Sequence, residues 1–155
     1  MLRGVPKGAE MQARRDLEAL DDENFIIRTY GDSVDIASDL SQAELCLMPS
    51  IVEPFGLTGL EAISAAVLPV MQANSGLGEY LNKNVDRELV SSVIVPAATS
   101  GSREDSWTDA LIRLLGSPGR IRQQAQQIRE ALLEIPSSAN HLRTHFFESR
   151  SEDIT

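Results

Sequence analysis

Short apolar runs, each stopped by a proline or a glycine, alternate along this chain with stretches whose apolar residues recur every three or four positions. No other feature constrains the fold as much. A run that is apolar on both faces must be covered on both sides, and strands joined through helices pair in parallel. Leu2 to Val5 reads as a strand end, followed by FIIRTY (25–30), ELCLMP (44–49), LPVMQA (68–73) and LVSSVIVP (89–96). Between them, residues 7–20 set Ala9, Ala13, Leu17 and Leu20 at helical spacing, and 33–40 offer Val34, Ile36, Ala37 and Leu40 for burial. Residues 56–67 and 74–83 read as further helices. A helix over 107–116 follows, with Asp105 or Ser106 as N-cap and Gly116 at its end. Pro118 opens a last long helix to about Glu134, whose apolar stripe is Ile121, Ala125, Ile128, Leu132 and Ile135. The reading is α/β, a parallel sheet flanked by helices, as one domain over 1–135 with a C-terminal helix or tail over 136–155.

Composition narrows the function classes. Fourteen Lys and Arg against 23 Asp and Glu leave a formal charge of −9 in 155 residues. That field opposes nonspecific binding to nucleic acid or to an anionic membrane, so neither is expected as a partner. Any phosphate-bearing ligand would depend on local donors. Cys46 is the sole cysteine, which excludes an internal disulfide and fits a reducing compartment. No run of 18 apolar residues and no signal-peptide pattern is present, so a cytoplasmic protein is expected.

The chemistry concentrates in PSIVEPFGLTGLEAISAAVLPVMQANSGLGE, residues 49–79. In open parallel sheets ligands bind beyond the carboxyl ends of the strands, and the strand ending at Pro49 and Ser50 delivers this segment there. Gly56 lets the backbone turn and come close to a ligand. The helix starting near Leu57 or Thr58 aims its free N–H groups at the same crevice, which suits a diphosphate. Glu61, three residues beyond Thr58, is expected to project toward that mouth, where a carboxylate can accept both hydroxyls of a ribose. Capping by Glu61 and solvation of the loop acid Glu53 are the competing explanations.

These residues resemble the donor-side motif of retaining, nucleotide-sugar-dependent glycosyltransferases of the GT-B fold, the glycosyltransferase group 1 type. The match consists of PS at 49–50, EPFGL at 53–57, the Glu-x7-Glu pair Glu53 and Glu61, the Pro69-Val70 strand and the Gly-x-x-Glu turn at 76–79. The pattern extends from about residue 24 to 135 and is specific between 45 and 79. The resemblance implies a Rossmann-like parallel sheet with helices on both faces, the C-terminal half of a GT-B enzyme without its first strand–helix unit. It implies that Glu53 meets the transferred sugar near the reacting centre. Gly56, Leu57 and Thr58 would hold the distal phosphate and Glu61 the ribose, while Ser75, Gly76 and Leu77 would line the sugar and diphosphate side. It implies no metal and no cofactor beyond the nucleotide-sugar substrate.

Two departures from the pattern bear on activity. Ala66 stands where the family has a glycine, in a connection one residue longer before Pro69. The second is that 155 residues cannot hold both GT-B halves, and the unit that carries the diphosphate-gripping Arg and Lys is not recognisable. Arg3 and Lys7 read as surface charges rather than that pair. The expectation is a domain that recognises a nucleotide-sugar donor but does not catalyse alone, as a homo-oligomer or with a separate N-terminal half. The alternative is a non-catalytic, glycosyltransferase-like interaction or regulatory module of a larger protein, such as one in signalling. His141 and His145, four apart, read as surface histidines rather than a metal clamp, Cys46 as core, and Trp107 as a packing anchor. Asp21, Asp22 and Glu23 read as a loop.

Overall fold

The computed structural model describes residues 1–18, 26–29, 31, 33–50, 56–97 and 102–135. It is an α/β protein whose parallel strands are flanked by helices in a Rossmann-like manner. The chain divides into two compact units, 1–39 and 40–155. Among the described residues the strands pair in parallel within each unit.

The first unit holds β1 (Leu2–Val5), α1 (Glu10–Glu18), β2 (Ile27–Thr29) and most of α2 (Ser33–Ser41). β1 and β2 pair in parallel from Leu2 opposite Ile27 to Val5 opposite Thr29, with one irregularity between Arg3 and Val5. α1 begins three residues later than its periodicity suggests. Gly8, at φ 92°, turns the chain there and donates its N–H to Glu10 Oε2 at 2.7 Å. In α2 the expected apolar face is only partly used. Leu40 is buried and Ile36 and Ala37 are half-buried, but Val34 is exposed. Asp39 is buried instead, and its carboxylate pairs with Nε of Arg28 on β2 at 3.2 Å. Lys7 is exposed.

The second unit carries the main core. Its sheet has the order β3 (Leu45–Met48), β4 (Leu68–Gln72), β5 (Ile94–Val95). α3 (Leu57–Ser64) and α4 (Gly76–Asn84) follow β3 and β4. α5 (Arg87–Val90) precedes β5, and α6 (Arg103–Leu115) and α7 (Pro118–Glu134) complete the unit. All five residues of β4 are buried, and because neighbouring side chains point to opposite faces, both faces of that strand are covered. Ile63, Leu68, Met71, Leu77, Leu81 and Ile128 are fully buried. Burial of each such side chain contributes about 1.5–3 kcal/mol. The stripe of α7 packs as its spacing predicts, with Ile121, Ala125, Ile128 and Leu132 buried and Ile135 half-buried.

Pro69 sits in this central strand although it has no N–H to give. Leu68 N bonds Glu44 O on the β3 side, whereas Met71 N and Ala73 N bond Val93 O and Val95 O on the β5 side. The alternation aims position 69 at the β5 side one rung before β5 begins, where no ladder partner exists to be lost.

Three readings of the sequence need correction. ELCLMP is not a strand buried on both sides. β3 is an edge of its sheet among the described residues, with Leu45 and Cys46 half-buried and Leu47 47% exposed. The run 89–96 is mostly not strand. Asp86 caps the short helix α5 by accepting from Glu88 N, Val90 is buried from that helix, and only Ile94 and Val95 pair. Finally, α6 starts at Arg103, four residues early. Ser102 accepts from Asp105 N while Asp105 accepts from Ser102 N, a capping box hidden inside a stretch that reads as polar loop. Leu20, the acidic run 21–23, Glu53, His141 and His145 lie outside the described residues. So does the tail over 136–155.

Candidate functional site

Because β3, β4 and β5 are parallel, the helices that follow them, α3, α4 and α6, all begin at the carboxyl end of the sheet. Their first turns are close together. A Cβ placed on Gly59, in the first turn of α3, would lie 2.5 Å from Leu77 Cδ2 in α4 and 2.7 Å from Met48 Sδ at the end of β3. One placed on Gly78 would lie 2.4 Å from the backbone oxygen of Gln72. Glycine at 78 lets α4 start directly against the end of β4.

The three starts are finished differently. Ser75 caps α4, its Oγ accepting from Gly78 N at 3.1 Å and donating to Gln72 O at 2.8 Å. α6 has its capping box. α3 is preceded by Gly56 in the left-handed conformation, φ 83° and ψ 54°, with no side-chain cap. Leu57 and Thr58 at its start are exposed, whereas Gly59, Leu60, Ala62 and Ile63 are buried. Among the described residues no side chain caps this helix start, and a glycine of positive φ at that point is how a chain leaves a helix N-terminus open to an anion.

Glu61 is the fifth residue of α3, one residue further in than a helix starting at Thr58 would place it. It is half-buried, and helical side chains lean back toward the N-terminus. Its negative charge is felt on β3: burial pushes the Cys46 thiol up to about 11, and Glu61 adds to the rise. Cys46 is half-buried and packs against the core. Ser75 is buried with its hydroxyl used as a cap, and the Leu77 side chain is fully buried in the core. What the start of α4 can offer a ligand is therefore backbone, together with half-buried Gly76.

The structure adds residues that the motif did not indicate. Arg103, the first residue of α6, donates an Nη2 hydrogen to Pro49 O immediately after β3. Gln72, the last residue of β4, is buried and faces two neighbours that are only donors, so its amide presents the oxygen to them. That oxygen accepts from Nε of Arg103 at 3.2 Å and from Nε1 of Trp107 at 2.6 Å. Trp107 is half-buried against the core, as a packing anchor should be. A guanidinium thus stands at the carboxyl end of β3 and β4. The sequence signal was an arginine directly after the residues Ser-Gly-Ser, visible only once the capping box is recognised.

Away from this end, a polar groove of about 530 Å³ runs between α5, the last turn of α6 and the first half of α7. No cluster of His, Cys, Asp and Glu suited to a metal ion occurs among the described residues. None of the described helices is long and apolar enough to cross a membrane.

No curated protein matches the chain. A family model described as family 4 glycosyltransferase in conflict systems matches residues 1–142, every described element included. With a glycosyltransferase-like α/β domain whose helices open at the carboxyl end of a parallel sheet, the chain belongs to the family 4 glycosyltransferases in conflict systems.

Proposed function

We propose that the carboxyl end of the β3-β4-β5 sheet recognises a nucleotide-sugar donor for retaining glycosyl transfer. The observation that carries this reading is the open start of α3. Of the three helix N-termini at that end, it alone has a left-handed glycine in place of a side-chain cap. The N–H groups of Leu57 and Thr58 take the distal phosphate, and Glu61 accepts hydrogen bonds from the ribose. Glu53, four residues before α3 in the sequence, meets the transferred sugar, and Gly76 borders the sugar and diphosphate side. Helix N–H groups and basic side chains neutralise the leaving diphosphate without a metal, as the Glu-x7-Glu resemblance implies. Transfer itself is assigned to an assembly in which an acceptor-binding part completes the crevice.

The test is a calorimetric titration of the chain with UDP-, GDP- and ADP-sugars beside the Glu61→Ala variant. Saturable binding is expected, weakened in the variant by about 1–3 kcal/mol through loss of hydrogen bonds to a charged acceptor. Equal affinity in the two proteins removes Glu61 from the site. Absence of binding at millimolar ligand rejects the donor reading.

One observation favours a second reading, a non-catalytic assembly module. Among the described residues β3 presents an edge with Leu47 exposed, and such edges pair with further strands. In that case the chain forms a homo-oligomer by light scattering, and Leu47→Lys returns it to a monomer. A wild-type monomer at all concentrations rejects this reading.

A further inference from the structure

We propose that Arg103 is the diphosphate-binding cation of this site, held in place by Gln72. The inference rests on the donor reading above and names a residue that the Glu-x7-Glu motif does not contain.

An isolated arginine on a helix surface would lie in solvent. This one is half-buried and tied at two points, to Pro49 O through Nη2 and to the Gln72 amide oxygen through Nε. Those bonds use two of the five guanidinium donors and fix the plane of the group, and the Nη1 amino group takes part in neither. Gln72 is only 5% exposed, and burying an amide is costly unless its partners are supplied. Here the partners are Arg103 and Trp107, both from the first turns of α6. A core amide at the end of the central strand thus orients a cation rather than merely filling space.

The location matches the need. Pro49 directly follows Met48, whose sulfur packs against the first turn of α3 at Gly59. Arg103 thus sits at the end of β3, the strand whose last residue packs against the first turn of α3. In a chain of net charge −9, a phosphate needs such a local donor. A planar fork of N–H groups beside a helix N-terminus suits a pyrophosphate, which offers oxygens to both.

The experiment compares wild type, Arg103→Gln and Arg103→Lys by calorimetry, with inorganic pyrophosphate, with UDP, GDP and ADP, and with the corresponding nucleosides. Thermal melting checks that each variant is folded. Arg103→Gln is expected to lose roughly ten- to a hundredfold in affinity for pyrophosphate and the nucleoside diphosphates, the size of lost bonds to a charged group. Nucleoside affinity stays within about twofold of wild type. A purely structural arginine would lower all three together or none, and either result overturns the inference. Should Arg103→Gln fail to fold, Arg103→Lys decides. It keeps the charge but not the fork, and the diphosphates should still weaken severalfold relative to the nucleosides. An unchanged ratio overturns the inference while the donor reading stands. A wild-type protein that binds neither pyrophosphate nor any nucleotide overturns both.

Discussion

The starts of α3 and α4 lie side by side at one end of one sheet, yet they are built to opposite specifications. α4 is closed: Ser75 bonds both Gly78 N and Gln72 O, and glycine at 78 lets the helix press onto the strand end. α3 is open, with Gly56 in the left-handed region and exposed Leu57 and Thr58 behind it. The difference separates structural amides from amides left for a ligand. Helix N-terminal N–H groups must be satisfied by something, and where the chain supplies a serine the end is part of the fold. Where it supplies only a glycine, water or a ligand completes it.

The comparison can be broken most forcefully at Gly78. Gly78→Ala puts a methyl group within 2.4 Å of a backbone oxygen that no side-chain rotation can move. We expect a loss of roughly 3 kcal/mol, the upper end of the cost of overpacking, measured by urea denaturation. A loss below about 1 kcal/mol would mean that α4 is not seated against β4 as described. Next, Ser75→Ala removes the cap of α4 and leaves Gly78 N without its acceptor in a buried site. The expected cost is about 1–2 kcal/mol. Pyrophosphate affinity should change little, because the Ser75 hydroxyl is spent on the cap rather than offered to a ligand, and a parallel loss of affinity would erase the contrast with α3.

The other end of α3 allows a stabilising change. Ala66 adopts φ 56°, closing the helix as Val67 N bonds Ala62 O and Ala66 N bonds Ile63 O. Glycine suits that left-handed position better, so Ala66→Gly should raise stability by about 0.5–1 kcal/mol despite its greater freedom when unfolded. A lower melting temperature would contradict it.

The smallest effect tests the position of Glu61. With the Cys46 thiol raised from 9.0 to about 11, thiol alkylation at pH 8.5 should be slow. Glu61→Gln removes a like charge, lowers that pKa and speeds alkylation modestly. An unchanged rate would place Glu61 away from β3. The sign for stability follows. Below about pH 9 the thiol is protonated whether the chain is folded or not. Between 9 and about 11 the unfolded chain ionises first, so folding weakens as pH rises.

Much of this was legible in the residues. The stripe of α7 and the apolar β4 could be read because each depends on spacing within a few residues, and both are buried as their patterns require. Gly56 before an apolar helix announced the open start of α3. β3 was misread, since an apolar run states what its side chains prefer and not how many neighbours the strand finds. The stretch 87–95 was misread for a related reason: Val90 and Val93 are buried as in a strand, but the Asp86 cap turns the backbone into a helix first.

By itself, then, the sequence determined the alternation of strand and helix, the points where strands end and the chemistry left at each helix start. These are set by interactions among residues within one or two turns of each other. Only the tertiary structure decided which strands became neighbours, that Leu47 stands on an edge among the described residues, and that the charge of Glu61 is felt at Cys46. It alone decided that Arg103 reaches Pro49, 54 positions away, and shares Gln72 with Trp107. Those outcomes depend on packing between elements, for which local periodicity carries no information.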